Sequence, residues 1–260
     1  MNEIKRLKAE IEEYWTIRAP SYADETHHGN REFWTGELIG RIRKHYPDKK
    51  PEEIKVLDLA TGAGFAASIF AGAGYQVTGI DLSAGMLEEA KKNIAGLDDR
   101  VELYRMDAEH PDFPDDTFDV VFSRHLTWVL PGIAEAYAEW KRILKPGGLM
   151  MNCDGSWYKR FYDKEAMASW NEARRLDPGG DKLKNSTGLG PELFKRIEDV
   201  SAELPVTYLV RPEWDVATLR LLGLEVRVDR EFGDRLAALR KETPGGSDPT
   251  PVFFIEAVKR

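Results

Sequence analysis

Residues 55–72 read KVLDLATGAGFAASIFAG, and this stretch decides the fold. Residues 55–60 form an apolar run of strand length, 61–64 a turn, and 65–73 an apolar helix that ends at Gly74. Gly62, Gly64 and Ala67 satisfy the pattern G-x-G-x-x-G/A, and Asp81 follows Gly64 by 17 residues, at the end of a second strand over 76–81. Strand, glycine turn, helix and acidic strand end together are the layout of a nucleoside-binding α/β site. The glycines let the backbone approach the ligand, and the carboxylate accepts hydrogen bonds from ribose hydroxyls. A tight turn needing positive φ would account for the glycines but not for Asp81.

Outward from this unit the alternation continues. Strands are expected over 101–106, 118–123 and 149–153, and helices over 87–95, after a cap at Ser83, and over 133–144, stopped by Lys145-Pro146-Gly147-Gly148. Five strands alternating with helices predict an α/β fold with a doubly wound, mostly parallel sheet. Segments 224–229 and 252–258 bring the sheet to seven strands. Upstream lie an amphipathic helix over 2–18, a polar loop over 19–30 and a helix over 31–46. After Asp154 the pattern changes to helices over 158–175 and 191–200 around the loop DPGGDKLKNSTGLG, followed by a helix over 213–222. The expected organisation is an N-terminal lid plus cofactor-binding core (1–154), a substrate-binding insertion (155–211) and completion of the sheet (212–260).

The totals agree with one large α/β domain: 260 residues, against a typical domain of about 150, with one cysteine and a net charge of −8 from 45 acidic and 37 basic side chains. Lone Cys153 rules out an internal disulfide framework and fits a reducing compartment. The acidic balance argues against a phosphate-backbone partner. No apolar run reaches the ~18 residues of a membrane span, and the start MNEIKRLKAEIEEYW lacks the apolar core of a secretory signal. A cytoplasmic location is expected.

Asp58 bears on which cofactor the turn holds. A dinucleotide would place its pyrophosphate at the turn and helix N-terminus, where a carboxylate four residues before Gly62 repels it. S-adenosylmethionine has no phosphate. Its sulfonium and α-amino groups suit a nearby carboxylate.

The chain resembles the class I S-adenosylmethionine-dependent methyltransferases, in particular the small-molecule group similar to the ubiquinone/menaquinone biosynthesis methyltransferases. The resemblance rests on VLDLATGAG (56–64), VTGIDLSAGMLEEAKKN (77–93), MDAEHPDFPDDTFDVVFSR (106–124), ILKPGGLM (143–150) and the lid-like YWTIRAPSY (14–22). It implies a Rossmann-like methyltransferase that moves a methyl group by in-line displacement and releases S-adenosylhomocysteine. By position, Asp58, Ala60, Gly62 and Gly64 would line the methionine moiety, and Asp81 would bind the ribose. Leu82 and Met86 would flank the adenine, Asp107 would accept from its amino group, and the Ala108 amide would face the ring. Ser123 and Arg124 would sit beside the methionine portion and the transferring methyl. Tyr14, Arg18 and Tyr22 would close over the cofactor, with Arg18 pairing its carboxylate.

His125 follows the fourth strand and, with Arg124, is the candidate for catalysis. His27 and His28 in the lid are a weaker pair without a third ligand, and no zinc spacing or Ser/His/Asp arrangement is present, so no metal is expected. Trp157, Tyr158, Phe161, Tyr162, Trp170 and Phe194 in the insertion form either its own small core or an aromatic pocket for a planar or apolar small molecule. Interleaved Lys159, Arg160, Arg174, Arg175, Lys182 and Lys184 are a solvated face or contacts to an anionic group. An RNA or protein methyltransferase and a non-catalytic S-adenosylmethionine-binding protein remain alternative readings.

Overall fold

In the computed structural model, which describes residues 3–27, 30–97, 99–176, 189–241 and 252–260, seven strands form one sheet. They are β1 (Lys55–Leu59), β2 (Gln76–Asp81), β3 (Val101–Arg105), β4 (Phe118–Arg124), β5 (Leu144–Gly155), β6 (Leu224–Asp229) and β7 (Val252–Lys259). Their order is β3-β2-β1-β4-β5-β7-β6. The first five are mutually parallel, and β7 runs antiparallel to both β5 and β6. This is the doubly wound, mostly parallel sheet expected from residues 55–72 outward.

Side chains alternate between two cores, as a sheet covered on both faces requires. Leu57, Leu59, Val121, Met150 and Ile255 pack on one face with Tyr137 and Trp140 of helix α5 (Ile133–Ile143). Val56, Val120, Phe122, Met151 and Phe254 pack on the other. There they meet α3 (Phe65–Gly72) and Trp34, Leu38 and Ile42 of α2 (Arg31–His45). The chain winds from β1 toward β3 on one side and from β4 toward β5 on the other. A crevice therefore opens at the carboxyl ends of β1 and β4, where such sheets bind ligands.

Three segments depart from the expectations. Helix α1 spans Glu3–His27 with Pro20 inside it, so residues 19–27 are helix rather than loop. Arg18, Ala19 and Ala23 are buried there, and this packing overrides the local preference of Pro20 to break a helix. Helix α5 ends at Ile143, as residues 145–148 led one to expect, but those residues are not a connector before the fifth strand. They sit inside β5, where the register to β4 slips between the Phe118↔Leu144 and Val120↔Leu149 pairs. A helix at Phe232–Lys241 was not expected; it buries Phe232 and Leu236. The remaining helices are α4 (Ala84–Asn93), α6 (Lys164–Leu176), α7 (Pro191–Glu203) and α8 (Glu213–Leu221), so that the helix at Phe232–Lys241 is α9. The expected helix over 158–175 divides into a short 3-10 turn at Lys159–Phe161 and α6. His28, Lys182 and Lys184 lie outside the described residues, as do the side chains of His27 and Arg174.

Candidate active site

The glycine turn is held from both sides. The Thr61 amide donates to the Ile80 carbonyl at 2.8 Å and the Gly64 amide to the Thr61 carbonyl at 2.9 Å. Gly62 and Gly64 both take positive φ, +56° and +79°. At Gly64 a Cβ would also lie 3.2 Å from the Ala90 backbone, so α3 and α4 can approach closely only with glycine there.

Asp58 is buried beneath the turn. One of its oxygens, Oδ2, accepts from Thr61 Oγ1 at 2.6 Å and from the Ala67 amide at 3.0 Å. Burial pushes its pKa up to about 7, against the opposing pull of Thr61, Arg124 and the Ala67 amide. The carboxylate thus occupies a donor at the N-terminus of α3 that a phosphate would need. Asp81, at the end of β2, accepts from the Gly62 amide at 2.9 Å and from the Ser83 amide at 2.8 Å. Burial raises it to about 6.

A cavity of about 760 Å³, measured out to its open mouth, lies over this turn at the carboxyl ends of β1, β2 and β4. It brings together Tyr22, Ala60, Gly62, Asp81, Leu82, Met86, Asp107, Ala108, Arg124 and His125 of the expected site. Five expected residues do not line it. Asp58 lies beneath the turn, Gly64 of the turn abuts Ala90 of α4, and Tyr14 is in the core. Ser123 is buried and donates to Asn152 Oδ1 at 2.9 Å. Arg18 donates to Ser21 Oγ at 2.5 Å, with its guanidinium 5.7 Å from the Tyr22 ring centroid and 5.5 Å from that of Phe194. Arg124 does line the cavity, with its guanidinium 4.5 Å from the Phe65 centroid and 5.0 Å from that of Trp34.

Helix α1 forms the roof with Lys8, Ile11, Glu12 and Trp15, none of which the sequence singled out for this role. Thr16 Oγ1 lies 2.9 Å from Ser83 Oγ, joining α1 to the cap of α4. Lys8 Nζ donates to Asp107 Oδ2 at 2.6 Å and pairs with Glu109. Burial lowers the Lys8 pKa, but those two carboxylates outweigh it and the net shift is upward. The far wall is Leu126, Val129, Leu130 and Pro131, from the segment after β4.

His125 sits on left-handed backbone (φ +55°), and its amide donates to the Cys153 carbonyl at 2.9 Å. Its ring packs edge-on against Trp157 at 5.1 Å. In the segment after β5, Arg160 gathers the aromatic residues. Its guanidinium lies 4.7 Å from the Tyr158 centroid, 5.0 Å from that of Phe161 and 4.8 Å from that of Trp170. No group of three or more His, Cys, Asp or Glu suited to a metal occurs among the described residues. No described helix is long and apolar enough to cross a membrane.

Comparison with known proteins agrees with this geometry. Residues 57–152 match a family model described as a methyltransferase domain. Over 105 residues the chain is 39% identical to a demethylmenaquinone methyltransferase of Clavibacter sepedonicus, covering 39% of this chain and 41% of that protein. Over 96 residues it is 36% identical to a phosphatidylethanolamine N-methyltransferase of Cereibacter sphaeroides, covering 36% and 47%. The chain thus spans less than half the length of these relatives. Among solved structures, it shares its fold with phosphoethanolamine N-methyltransferase 2 of Haemonchus contortus in complex with S-adenosyl-L-methionine. The TM-score is 0.58 at 19% identity, covering 86% of this chain and 52% of that one. A SAM dependent methyltransferase from Aquifex aeolicus aligns with TM-score 0.50 at 21% identity, covering 86% and 90%.

Proposed function

We propose that this chain, whose residues 57–152 carry a methyltransferase domain, binds S-adenosylmethionine in the cavity over the glycine turn. It moves the methyl group to a small-molecule acceptor, leaving S-adenosylhomocysteine. The observation that carries the reading is the pairing of two buried carboxylates. Asp58 occupies the α3 N-terminus, which disfavours a phosphate-bearing cofactor, while Asp81 faces the cavity where ribose hydroxyls need an acceptor.

When bound, the cofactor supplies an electrophilic methyl group on a sulfonium. The chain's own residues orient it and exclude water. Asp81 accepts from the ribose, Leu82, Met86 and Ala108 flank the adenine, and Asp107 accepts from its amino group. Arg124, which lines the cavity, pairs the methionine carboxylate. Trp15 and Tyr22 close the roof, with the Arg18 guanidinium 5.7 Å from the Tyr22 ring. His125 faces the reacting end of the cavity and takes the proton from a hydroxyl or amine acceptor. The segment over 155–211 carries the acceptor side, with an aromatic or apolar small molecule as its guest. The net charge of −8 disfavours RNA as acceptor, and lone Cys153 favours a reducing, cytoplasmic setting.

Titration calorimetry tests the reading. S-adenosylmethionine and S-adenosylhomocysteine should bind and NAD should not. Failure of both methionine nucleosides to bind would overturn it.

A further inference from the structure

A second, smaller niche lies beside the cofactor cavity, with Trp128, Trp157, Tyr158 and Arg211 in its walls. It measures about 240 Å³ out to its mouth, and its interior admits one water-sized group. Trp128 and Trp157 tie it to the catalytic end of the larger cavity. The Trp128 indole donates to the His125 carbonyl at 2.8 Å, and the Trp157 ring packs on that of His125.

Arg211 is buried, with its side chain 2% exposed. Its Nε donates to both oxygens of Asp215, at 3.1 and 2.9 Å. Its Nη2 donates to Asp215 Oδ1 at 2.7 Å and to Thr127 Oγ1 at 2.6 Å. The remaining nitrogen, Nη1, is buried with no hydrogen-bond partner among the described residues. The Phe253 ring centroid is 5.1 Å from the guanidinium, but a ring face satisfies an N–H less well than an oxygen does. A buried cationic donor without an acceptor is costly.

The charges around it decide what kind of acceptor fits. Asp215 already neutralises Arg211. A second carboxylate, Asp154, joins the same network by accepting from Thr127 Oγ1 at 2.5 Å. Asp154 also accepts from the Trp128 amide at 3.0 Å and the Trp157 indole at 2.9 Å, and burial raises its pKa. Tyr137 completes the cluster, donating to Asp215 at 2.6 Å. A further full negative charge here would face two carboxylates against one guanidinium.

We propose that this niche recognises an uncharged oxygen, a hydroxyl or carbonyl, on a planar guest that rests against the aromatic walls and accepts through that oxygen a hydrogen bond from Arg211 Nη1. Calling this guest the methyl acceptor rests on the function proposed above; the binding chemistry does not. Phosphate- and carboxylate-bearing molecules are disfavoured by Asp215 and Asp154, which already face Arg211 and Thr127.

The test uses four probes on the wild-type protein, with and without S-adenosylhomocysteine: phenol, toluene, benzoate and inorganic phosphate. Phenol should bind about tenfold more tightly than toluene, as one hydrogen bond to a charged donor provides. Benzoate and phosphate should show no preference over toluene. In crystals soaked with phenol, its oxygen should lie within hydrogen-bond distance of Nη1. Equal affinities of phenol and toluene, tighter binding of benzoate or phosphate, or a water alone on Nη1 in the soaked crystal would each overturn the proposal. Arg211→Lys should lose the phenol preference while its affinity for S-adenosylhomocysteine stays. Absence of S-adenosylhomocysteine binding in the wild type would remove the cofactor reading and leave the phenol-to-toluene ratio to judge the niche.

Discussion

Asp81 and Gly62 are 19 residues apart and joined directly, the Gly62 amide donating to Asp81 Oδ2 at 2.9 Å. One carboxylate therefore shapes the glycine turn and faces the cofactor cavity. Replacing Asp81 with Ala should weaken S-adenosylhomocysteine binding by about 1–3 kcal/mol, the usual worth of hydrogen bonds to a charged group. Its pKa of about 6 adds a pH signature. The ionised form accepts from the ribose, so wild-type affinity should climb as pH rises through 6, and the climb should vanish in Asp81→Ala. Calorimetry across pH 5 to 8 measures both, and unchanged affinity in a folded variant removes the ribose role.

Asp58 carries a pH signature in stability rather than in affinity. Its folded pKa of about 7 lies above the ordinary 3.8, so the folded state keeps a proton that the unfolded chain has released. Stability from this group is then highest at low pH and falls as pH rises between 3.8 and about 7. Both donors converge on one oxygen of Asp58, which an asparagine carbonyl can replace. Asp58→Asn should therefore fold, and its unfolding free energy should fall less steeply over that interval than the wild type's. Denaturant titrations at stepped pH check this; parallel curves for the two proteins would place the wild-type slope elsewhere.

Gly85 sets how closely the roof helix sits. A Cβ there would fall 2.9 Å from the Thr16 carbonyl oxygen and 3.2 Å from Thr16 Cα. Both contacts are backbone, so α1 must move. Gly85→Ala gains helix propensity of about 1 kcal/mol, but overpacking costs about 1–3 kcal/mol, and the net effect should be destabilising. Because Trp15 and Tyr22 ride on α1, S-adenosylhomocysteine affinity should also fall. Gly36→Ala is the control. Nothing lies within 4 Å of its Cβ position, so it should gain stability with affinity unchanged. Equal affinities for all three proteins would separate α1 from cofactor binding.

The β1 turn was legible because its signals are local: an apolar run, two glycines and an acidic strand end lie within one unit. The same holds for the Ser83 cap, whose hydroxyl accepts the Met86 amide at 3.1 Å. What escaped depends on the rotation and docking of elements. Tyr14 and Trp15 are neighbours on α1, yet Tyr14 faces the core and Trp15 the cavity; composition alone does not say which. Lys8 became part of the site only because α1 lies over Asp107. Arg18 was expected beside the cofactor carboxylate, but it donates to Ser21 and does not line the cavity, whereas Arg124 at the end of β4 does. The helix over 19–27 was hidden by Pro20, and α9 went unread although Phe232, Leu236 and Leu239 are spaced as one helix face requires.

His125 takes left-handed backbone, lines the cavity and packs against Trp157. Asparagine tolerates the same backbone, so His125→Asn removes the ring with little strain. If His125 accepts the proton from a hydroxyl acceptor, kcat should fall by about 10²–10⁴-fold, with S-adenosylhomocysteine affinity unchanged. The deficit should shrink at high pH, where the acceptor ionises without help. A purely structural role predicts something different: lower stability and weaker cofactor binding, with a deficit that does not depend on the acceptor's acidity. Comparing two acceptors of different hydroxyl pKa in both proteins distinguishes the cases. An equal loss for both acceptors at every pH would remove His125 from proton transfer.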